Sequence, residues 1–336
     1  MGPQSAGAVP GPACYDNGGE EPTVTDANLV LNRLGPETRL GEFLNLRRGR
    51  AEAAVAKLDR KLGSTDLNFV AEGMVRIAES NMSAAVREIS VERGEDSRAF
   101  TLIAFGGAGS MHGCAVAQEV GIRRVISPNH PGKLSALGLL TSDLRHEFTR
   151  THLSLLEEAD LSVVADHLHQ LDKEAHALLS AEKVSEADRD IRYSIGLRYE
   201  GQAHEFDIAV NPRDLDRLAL GETFSDSYFD AWSYLPTGRP AQIVTLRLVA
   251  VGWAPKFSFP RLDNSVRELA EAEIGRRVVF FDSTAKQTSI YARTSLPAEA
   301  RFHGPAIIEE AGSTTVIPPN WEMRVDDVGN LIMELR

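Results

Sequence analysis

A strand that runs straight into a glycine turn and out into a helix constrains this chain more than any other stretch. It is Thr101-Leu-Ile-Ala-Phe-Gly-Gly-Ala-Gly-Ser-Met-His112. Leu102, Ile103, Ala104 and Phe105 make an apolar run too short for a helix, which predicts a buried strand. Gly106, Gly107 and Gly109 follow at once. From Met111 to Val120 the pattern turns helical, with Met111, Cys114, Ala115, Val116 and Val120 near one face, and Gly121 closes it. Val125-Ile126 begins another strand. Such a turn brings bare backbone N–H groups and a helix N-terminus up to a ligand, usually a phosphate or nucleotide. The same glycines also serve simply to let a helix pack tightly after a sharp turn, and both readings stand. A dinucleotide fingerprint asks for Gly or Ala where His112 stands, and for an acidic residue where the chain has Ser127-Pro128-Asn129. Nicotinamide cofactors are therefore set aside.

A chain of 336 residues has room for about two domains. A net charge of −12 argues against a sequence-independent nucleic-acid binder. No apolar run reaches the roughly 18 residues needed to span a bilayer. The start, Met1-Gly-Pro-Gln-Ser-Ala-Gly7, lacks the basic and apolar regions of a signal peptide. The two cysteines, Cys14 and Cys114, are far apart and have no metal spacing, so reduced thiols and a cytoplasmic location are expected.

Residues 2–22 are rich in glycine and proline, which is loop chemistry, yet they carry Val9, Cys14 and Tyr15. Asp26 then caps a helix bearing Leu29, Val30, Leu31 and Leu34, or with Asn28 holds a metal or a phosphate-bound water. Helices are predicted over 51–62 and 68–92. In the second, Phe69, Val70, Met74, Ile77, Met82, Val86 and Ile89 form the inner face, and Glu79, Asn81, Arg87 and Glu92 the solvated one. After the glycine turn, the loop Pro128–Ser135 leaves the carboxyl end of a strand, where open α/β sheets place ligands. His130, Lys133 and Ser135 are candidate contacts there, or ordinary surface residues. A short apolar helix is expected over 136–144.

Near Arg150 the texture changes. A helix over 161–181 carries His167, His169 and His176, whose spacing does not suit one metal. Alternation through Ile191–Tyr199 and Phe206–Val210 predicts a hairpin, its tip crowded with Arg198, Glu200, Gln202, His204 and Glu205. A helix over 215–232, a strand over 243–251 and a small β-rich tail from Val278 complete the pattern. The fold class is α/β. No serine elbow, Walker-type lysine loop or metalloprotease helix is present.

Several motifs together carry a family resemblance. They are Gly7-Ala-Val-Pro-Gly-Pro-Ala-Cys-Tyr15, Gly18-Gly19, Pro22-Thr-Val-Thr-Asp-Ala-Asn-Leu-Val30 and Ser90-Val-Glu-Arg-Gly94. Phe105-Gly-Gly-Ala-Gly109 with His112, Ser135-Ala-Leu-Gly-Leu-Leu140, Asp143-Leu-Arg145 and Arg198-Tyr-Glu-Gly-Gln202 continue the series. Gly304-Pro-Ala-Ile-Ile-Glu-Glu310, Ser313-Thr-Thr315 and Pro318-Pro319 close it. Through them the chain resembles the hydantoinase A and 5-oxoprolinase family over nearly its whole length. The resemblance implies the second lobe of an ATPase fold similar to actin, Hsp70 and sugar kinases (1–150), followed by a β-rich C-terminal domain (151–336). It implies ATP and Mg²⁺ as cofactors and activation of a cyclic-amide carbonyl by phosphorylation, through a phosphorylated enol or imidate oxygen. Related acetone and acetophenone carboxylases act on ketones instead, and a non-catalytic assembly subunit or truncated relic is a further alternative. Gly106, Gly107, Ala108, Gly109 and Ser110 would bind the adenosine, with Ser110 in place of a usual proline. Asp26, near the interlobe cleft, and His112 are the catalytic candidates. The family's phosphate loops, one of which carries the Mg²⁺ aspartate, are not in this sequence. A separate N-terminal-half subunit and a hydantoinase B-like subunit are thus the expected partners.

Overall fold

The computed structural model describes residues 5–35, 39–40, 44–64, 66–236, 238–262 and 268–336. The chain forms two compact units, residues 1–138 with 258–336, and residues 139–257.

In the first unit the chain enters helix α1 (Val24–Val30), then α2 (Arg48–Leu62) and the long α3 (Leu67–Glu92). Thr23 and Asp26 form a capping box at the start of α1, each side chain answering the other's backbone N–H. Strand β1 (Leu102–Ile103), helix α4 (Gly109–Val120), strand β2 (Arg124–Ser127) and helix α5 (Leu134–Thr141) follow. β1 and β2 pair in parallel, and the Ala104 N–H extends the ladder to the Ile126 carbonyl at 2.8 Å.

The second unit is a four-stranded antiparallel sheet with two helices. Its elements are β3 (Leu144–Leu155), α6 (Leu161–Ala181), β4 (Arg189–Tyr199), β5 (Phe206–Val210), α7 (Arg217–Trp232) and β6 (Ala241–Gly252), with strand order β3-β6-β4-β5. The alternation read in the sequence puts Ile195, Leu197, Ile243 and Leu246 inward, where they meet Val164 and Leu168 of α6 and Phe224 of α7. Each such side chain contributes about 1.5–3 kcal/mol on burial.

The tail returns to the first unit. It carries β7 (Glu273–Phe281), β8 (Thr284–Ala292), β9 (Arg301–His303), β10 (Ala306–Glu310), β11 (Ser313–Ile317), β12 (Trp321–Val325) and β13 (Leu331–Leu335). One sheet has the order β11-β10-β8-β7, the other β9-β12-β13-β2-β1. The tail from Val278, expected as a small β-rich unit of its own, belongs instead to the first compact unit. The reason is β13, which pairs antiparallel with β2 from Leu331–Ser127 to Glu334–Arg124. A two-residue parallel pair is too small to stand alone, and the tail supplies the rest of its sheet. The β11-β10-β8-β7 sheet is covered on both faces. Val279, Ile290, Ile307 and Val316 pack on α1–α3, while Tyr291, Ile308 and Ile317 pack with α4, β12 and β13 around the fully buried Trp321. Burial on both faces is why Ala306-Ile-Ile308 reads as a continuous apolar run.

Two further expectations change. β1 is an edge strand, and Ile103 and Phe105 are exposed rather than buried. On α3, Val70 and Met74 are buried as expected, but Phe69, Ile77, Met82 and Ile89 are exposed, and Glu79 is buried. Among the described residues, no helix is long and apolar enough to cross a membrane.

Candidate functional site: a crevice of three glycine turns

Gly106 holds a φ of +89°, a conformation that glycine alone adopts without strain. This lets the chain turn from β1 into α4 across residues 104–108. The Gly106 N–H donates to the Pro131 carbonyl at 2.8 Å, which brings in the loop after β2. A third turn, Ala311-Gly312-Ser313 between β10 and β11, closes on both. A Cβ at Gly107 would stand 3.4 Å from the Gly312 carbonyl oxygen, and one at Gly132 would stand 3.0 Å from the same atom. Ser313 Oγ lies 3.4 Å from the Gly106 carbonyl, at the outer limit of a hydrogen bond. Ala108 caps α4 without a side-chain acceptor, and the first turn holds no acidic residue. The free N–H groups and the positive end of the helix dipole thus suit an anion. Deeper in α4, a Cβ at Gly113 would meet Ala104 Cβ at 2.8 Å and Val125 Cγ1 at 3.2 Å, so this glycine lets the helix lie directly on the strands.

The candidate residues fall into two groups. Gly106, Gly107, Ala108 and Gly109 line the turn, and His130, Lys133 and Ser135 lie exposed in the neighbouring loop and the first turn of α5. Ser110, Asp26 and His112 face inward. The Ser110 hydroxyl is fully buried, donating to the Ala104 carbonyl at 3.0 Å and lying 2.8 Å from Ser127 Oγ. The Asp26 carboxylate accepts from the N–H groups of Ala13, Cys14 and Thr23 and from Thr23 Oγ1 at 2.7 to 3.2 Å. Of the two roles the sequence allowed, this geometry is that of the cap, and it also pins the glycine–proline loop onto α1. Burial and the neighbouring Asp26 push the Cys14 thiol well above the usual range, and burial does the same to Cys114, so neither is a nucleophile.

His112 belongs to a buried charged network that sequence reasoning missed. Its Nδ1–H donates to Glu79 Oε1 at 2.9 Å. Glu79 Oε1 lies 4.0 Å from Arg33 Nη1, and Arg33 Nη2 donates to Glu72 Oε1 at 2.7 Å. Arg33 also donates to the Phe280 carbonyl and rests over the Phe281 ring. The network ties the turn after α1 to α3, α4 and β7. Burial pushes the Glu72 carboxyl above its ordinary range against the pull of Arg33. A second buried pair, Arg293 with Glu310, sits beside the turns. Arg293 donates to Ser127 Oγ and to the carbonyls of Ser127, Pro128 and Gly329, fixing the loop after β2. No local signal marks either network, because the partners lie up to 247 residues apart.

In the second unit the hairpin tip is held by Gln202, which donates to Tyr228 Oη at 2.8 Å, and by Arg198 beside Gln242. His176 faces Asp172, and His167 meets the ring of His152.

Profiles of known families match the whole arrangement. That of hydantoinase/oxoprolinase covers residues 1–148, and that of the hydantoinase/oxoprolinase C-terminal domain covers residues 156–336. The chain belongs to the hydantoinase/oxoprolinase family. It is 36% identical over 334 residues to an uncharacterized protein of Methanocaldococcus jannaschii, covering 99% of this chain and 48% of that protein. It is 32% identical over 335 residues to the caprolactamase subunit alpha of Pseudomonas jessenii, covering 97% of this chain and 48% of the relative. The crystal structure of that ATP-dependent caprolactamase superposes with a TM-score of 0.74 over 99% of this chain and 50% of that one, at 31% identity. A nucleotide-free acetone carboxylase shares the fold with a TM-score of 0.85 at 22% identity, over 100% of this chain and 49% of that one. The chain thus spans about half the length of these relatives.

Proposed function

We propose that this chain is the adenosine-side part of an ATP-dependent enzyme that activates the carbonyl of a cyclic amide. The observation that carries the reading is the convergence of three glycine turns on the uncapped start of α4. A Cβ at Gly132 would crowd the Gly312 carbonyl at 3.0 Å, so the turns close on one another through bare backbone, the kind of surface that approaches a phosphate. In this reading the backbone of Gly106–Gly109 holds the nucleotide, with Ser110 packed behind the turn, within a second lobe of the actin, Hsp70 and sugar-kinase kind. ATP, when bound, supplies the phosphoryl group that makes the carbonyl carbon open to attack. His112, clamped by Glu79, and Asp26, locked in its cap, keep the elements behind the turn in register.

We assign the Mg²⁺ and the phosphate loops to another region or a partner subunit, with a hydantoinase B-like subunit completing the assembly, because charge on a transferring phosphoryl must be met by cations and backbone donors. The caprolactamase relative, itself named as an alpha subunit, supports both the substrate class and the assembly. The test is ATP turnover. The pure chain should show none, and adding the phosphate-loop region should give turnover stimulated by a lactam. Substantial ATPase activity from the pure chain would contradict the proposal.

A further inference from the structure

Between α3 and α4 the first unit opens a cleft of about 730 Å³, edged by the β7–β8 and β11–β12 turns. None of the glycine-turn residues lines it. One wall is apolar, built from Met111 and Ala115 of α4 with Val316 and Pro318. The other is α3, where Glu72, Arg76 and Glu79 recur at intervals of four and three and so share one helix face.

The lining holds four carboxylates, Glu72, Glu79, Glu119 and Asp282, against two guanidiniums, Arg33 and Arg76. Three of the carboxylates have a cation of their own. Arg33 donates to Glu72 at 2.7 Å, Arg76 stands 3.5 Å from Asp282, and Arg87 stands 3.8 Å from Glu119. Glu79 has none. Its nearest cation is Arg33 at 4.0 Å, already committed to Glu72. Glu79 is 7% exposed, and its Oε1 accepts the His112 Nδ1–H. Its Oε2 has no partner among the described residues and is not enclosed by them, so it opens on the cleft. A carboxylate this deep is costly unless paired, and a cation placed at Oε2 completes the set. The apolar wall beside it suits an organic ammonium with a methylene stem, which gains by burial where a hydrated metal ion would not.

The opposite end of the cleft suits an anion. Arg76 is exposed, and an ion pair as open as the one it makes with Asp282 is worth little, so a guest carboxylate can take its place. Three residues apart on a helix, Arg76 and Glu79 hold their Cβ atoms about 5–6 Å from one another, a gap that a short methylene stem spans.

We propose that this cleft binds an ω-amino acid, with its ammonium on Glu79 Oε2, its methylenes on the Met111–Pro318 wall and its carboxylate on Arg76. Hydrolysis of a cyclic amide releases such a molecule. Water adds its oxygen to the carbonyl carbon, the C–N bond breaks and the nitrogen takes the proton, leaving a carboxylate at one end and an amine at the other. Naming the guest as the product rests on the cyclic-amide reading above, whereas recognition of the ammonium rests on the cleft alone.

Ligand-observed NMR with 5-aminovalerate, pentylamine and valerate, on the wild-type chain, Glu79→Gln and Gln118→Trp, reads the site directly. Glu79→Gln keeps an acceptor for His112 and removes the charge. Gln118 is an exposed lining residue, so its tryptophan fills the cleft while the melting temperature stays close to wild type. Wild type should bind 5-aminovalerate best, pentylamine less tightly and valerate least. Both amines should bind at least tenfold more weakly to either variant, and Gln118→Trp decides the matter alone if Glu79→Gln unfolds. Arg76→Met should weaken 5-aminovalerate and leave pentylamine unchanged. Valerate bound as tightly as 5-aminovalerate, unchanged binding in Gln118→Trp, or no binding at millimolar concentration overturns the assignment. Nucleotide binding on the same samples separates the two ideas. If ATP binds and Gly107→Val abolishes it while no amine binds, the cleft assignment falls and the nucleotide reading survives. If the amines bind as expected and ATP does not, the ammonium site stands and its reading as a product site falls.

Discussion

The two compact units are built on different rules. Every buried polar or charged side chain among the described residues lies in the first unit, from Asp26 and Arg33 through Ser110 and His112 to Arg293 and Ser313–Thr315. The residues fully buried in the second unit are apolar or aromatic, and its charged side chains are at least partly exposed. Arg247, for example, sits 3.2 Å from both Glu147 and Asp207 on the side of the sheet away from the apolar core. Burying a charge is expensive unless it is paired and bonded, so a unit that does it repeatedly is one whose shape is fixed by something other than stability alone. Here Arg293 is bonded to the loop after β2, and His112 ties α4 to Glu79 of α3. The second unit, by contrast, reads as a layered α/β support.

Matched substitutions can break this contrast, beginning with the largest effect. Arg33→Met leaves Glu72 and Glu79 buried without their cation and should cost about 3–5 kcal/mol in urea unfolding. Arg247→Met, at a partly exposed pair, should cost less than about 1 kcal/mol. The first loss depends on pH. A carboxyl raised in the folded state is protonated at acid pH and burdens folding as pH climbs through its folded pKa. Glu72 is raised by burial and held down by Arg33, so Arg33→Met should destabilise more at pH 8 than at pH 5. Equal losses at Arg33 and Arg247 would dissolve the distinction between the units.

Next is Asp26→Asn, which puts an amide where four donors converge and should lower stability by about 2–3 kcal/mol, read as a fall in melting temperature. Gly113→Val overpacks the α4 interface, where a Cβ already meets Ala104 at 2.8 Å, and should cost about 1–3 kcal/mol. The opposite sign is expected at a helical glycine of the second unit. A Cβ at Gly221 would meet its nearest neighbour, Leu156 Cδ2, at 3.7 Å, so Gly221→Ala should stabilise by about 0.5–1 kcal/mol. Destabilisation there would show that α7 is packed as tightly as α4.

The sequence carried most of the local structure and little of the long-range chemistry. Period-3.6 patterns placed α3 and α6 within a residue or two of Leu67–Glu92 and Leu161–Ala181, and alternation placed β4 and β5. The glycine turn was legible because strand, glycines and helix are contiguous. Periodicity did not say which apolar row of α3 would be covered. Phe69 and Ile77 repeat as well as Val70 and Met74, and packing on α1 and α2 chose the latter. The burial of Glu79 depends on Arg33 and His112, from two other elements, and the Leu331–Leu335 strand depends on Arg124–Ser127 some 200 positions earlier. Partners at such separations leave no trace in a local pattern.

The central claim is that the converging glycine turns hold an adenosine nucleotide. Equilibrium binding of ATP to the wild-type chain and to Gly107→Val tests it most directly, with melting temperatures taken alongside. Residue 107 is exposed, and its Cβ would sit 3.4 Å from the Gly312 carbonyl, so the variant should fold. The account predicts saturable ATP binding by wild type and a loss of at least tenfold in affinity in Gly107→Val. Equal binding by both proteins, or no binding by a folded wild-type chain, would contradict it.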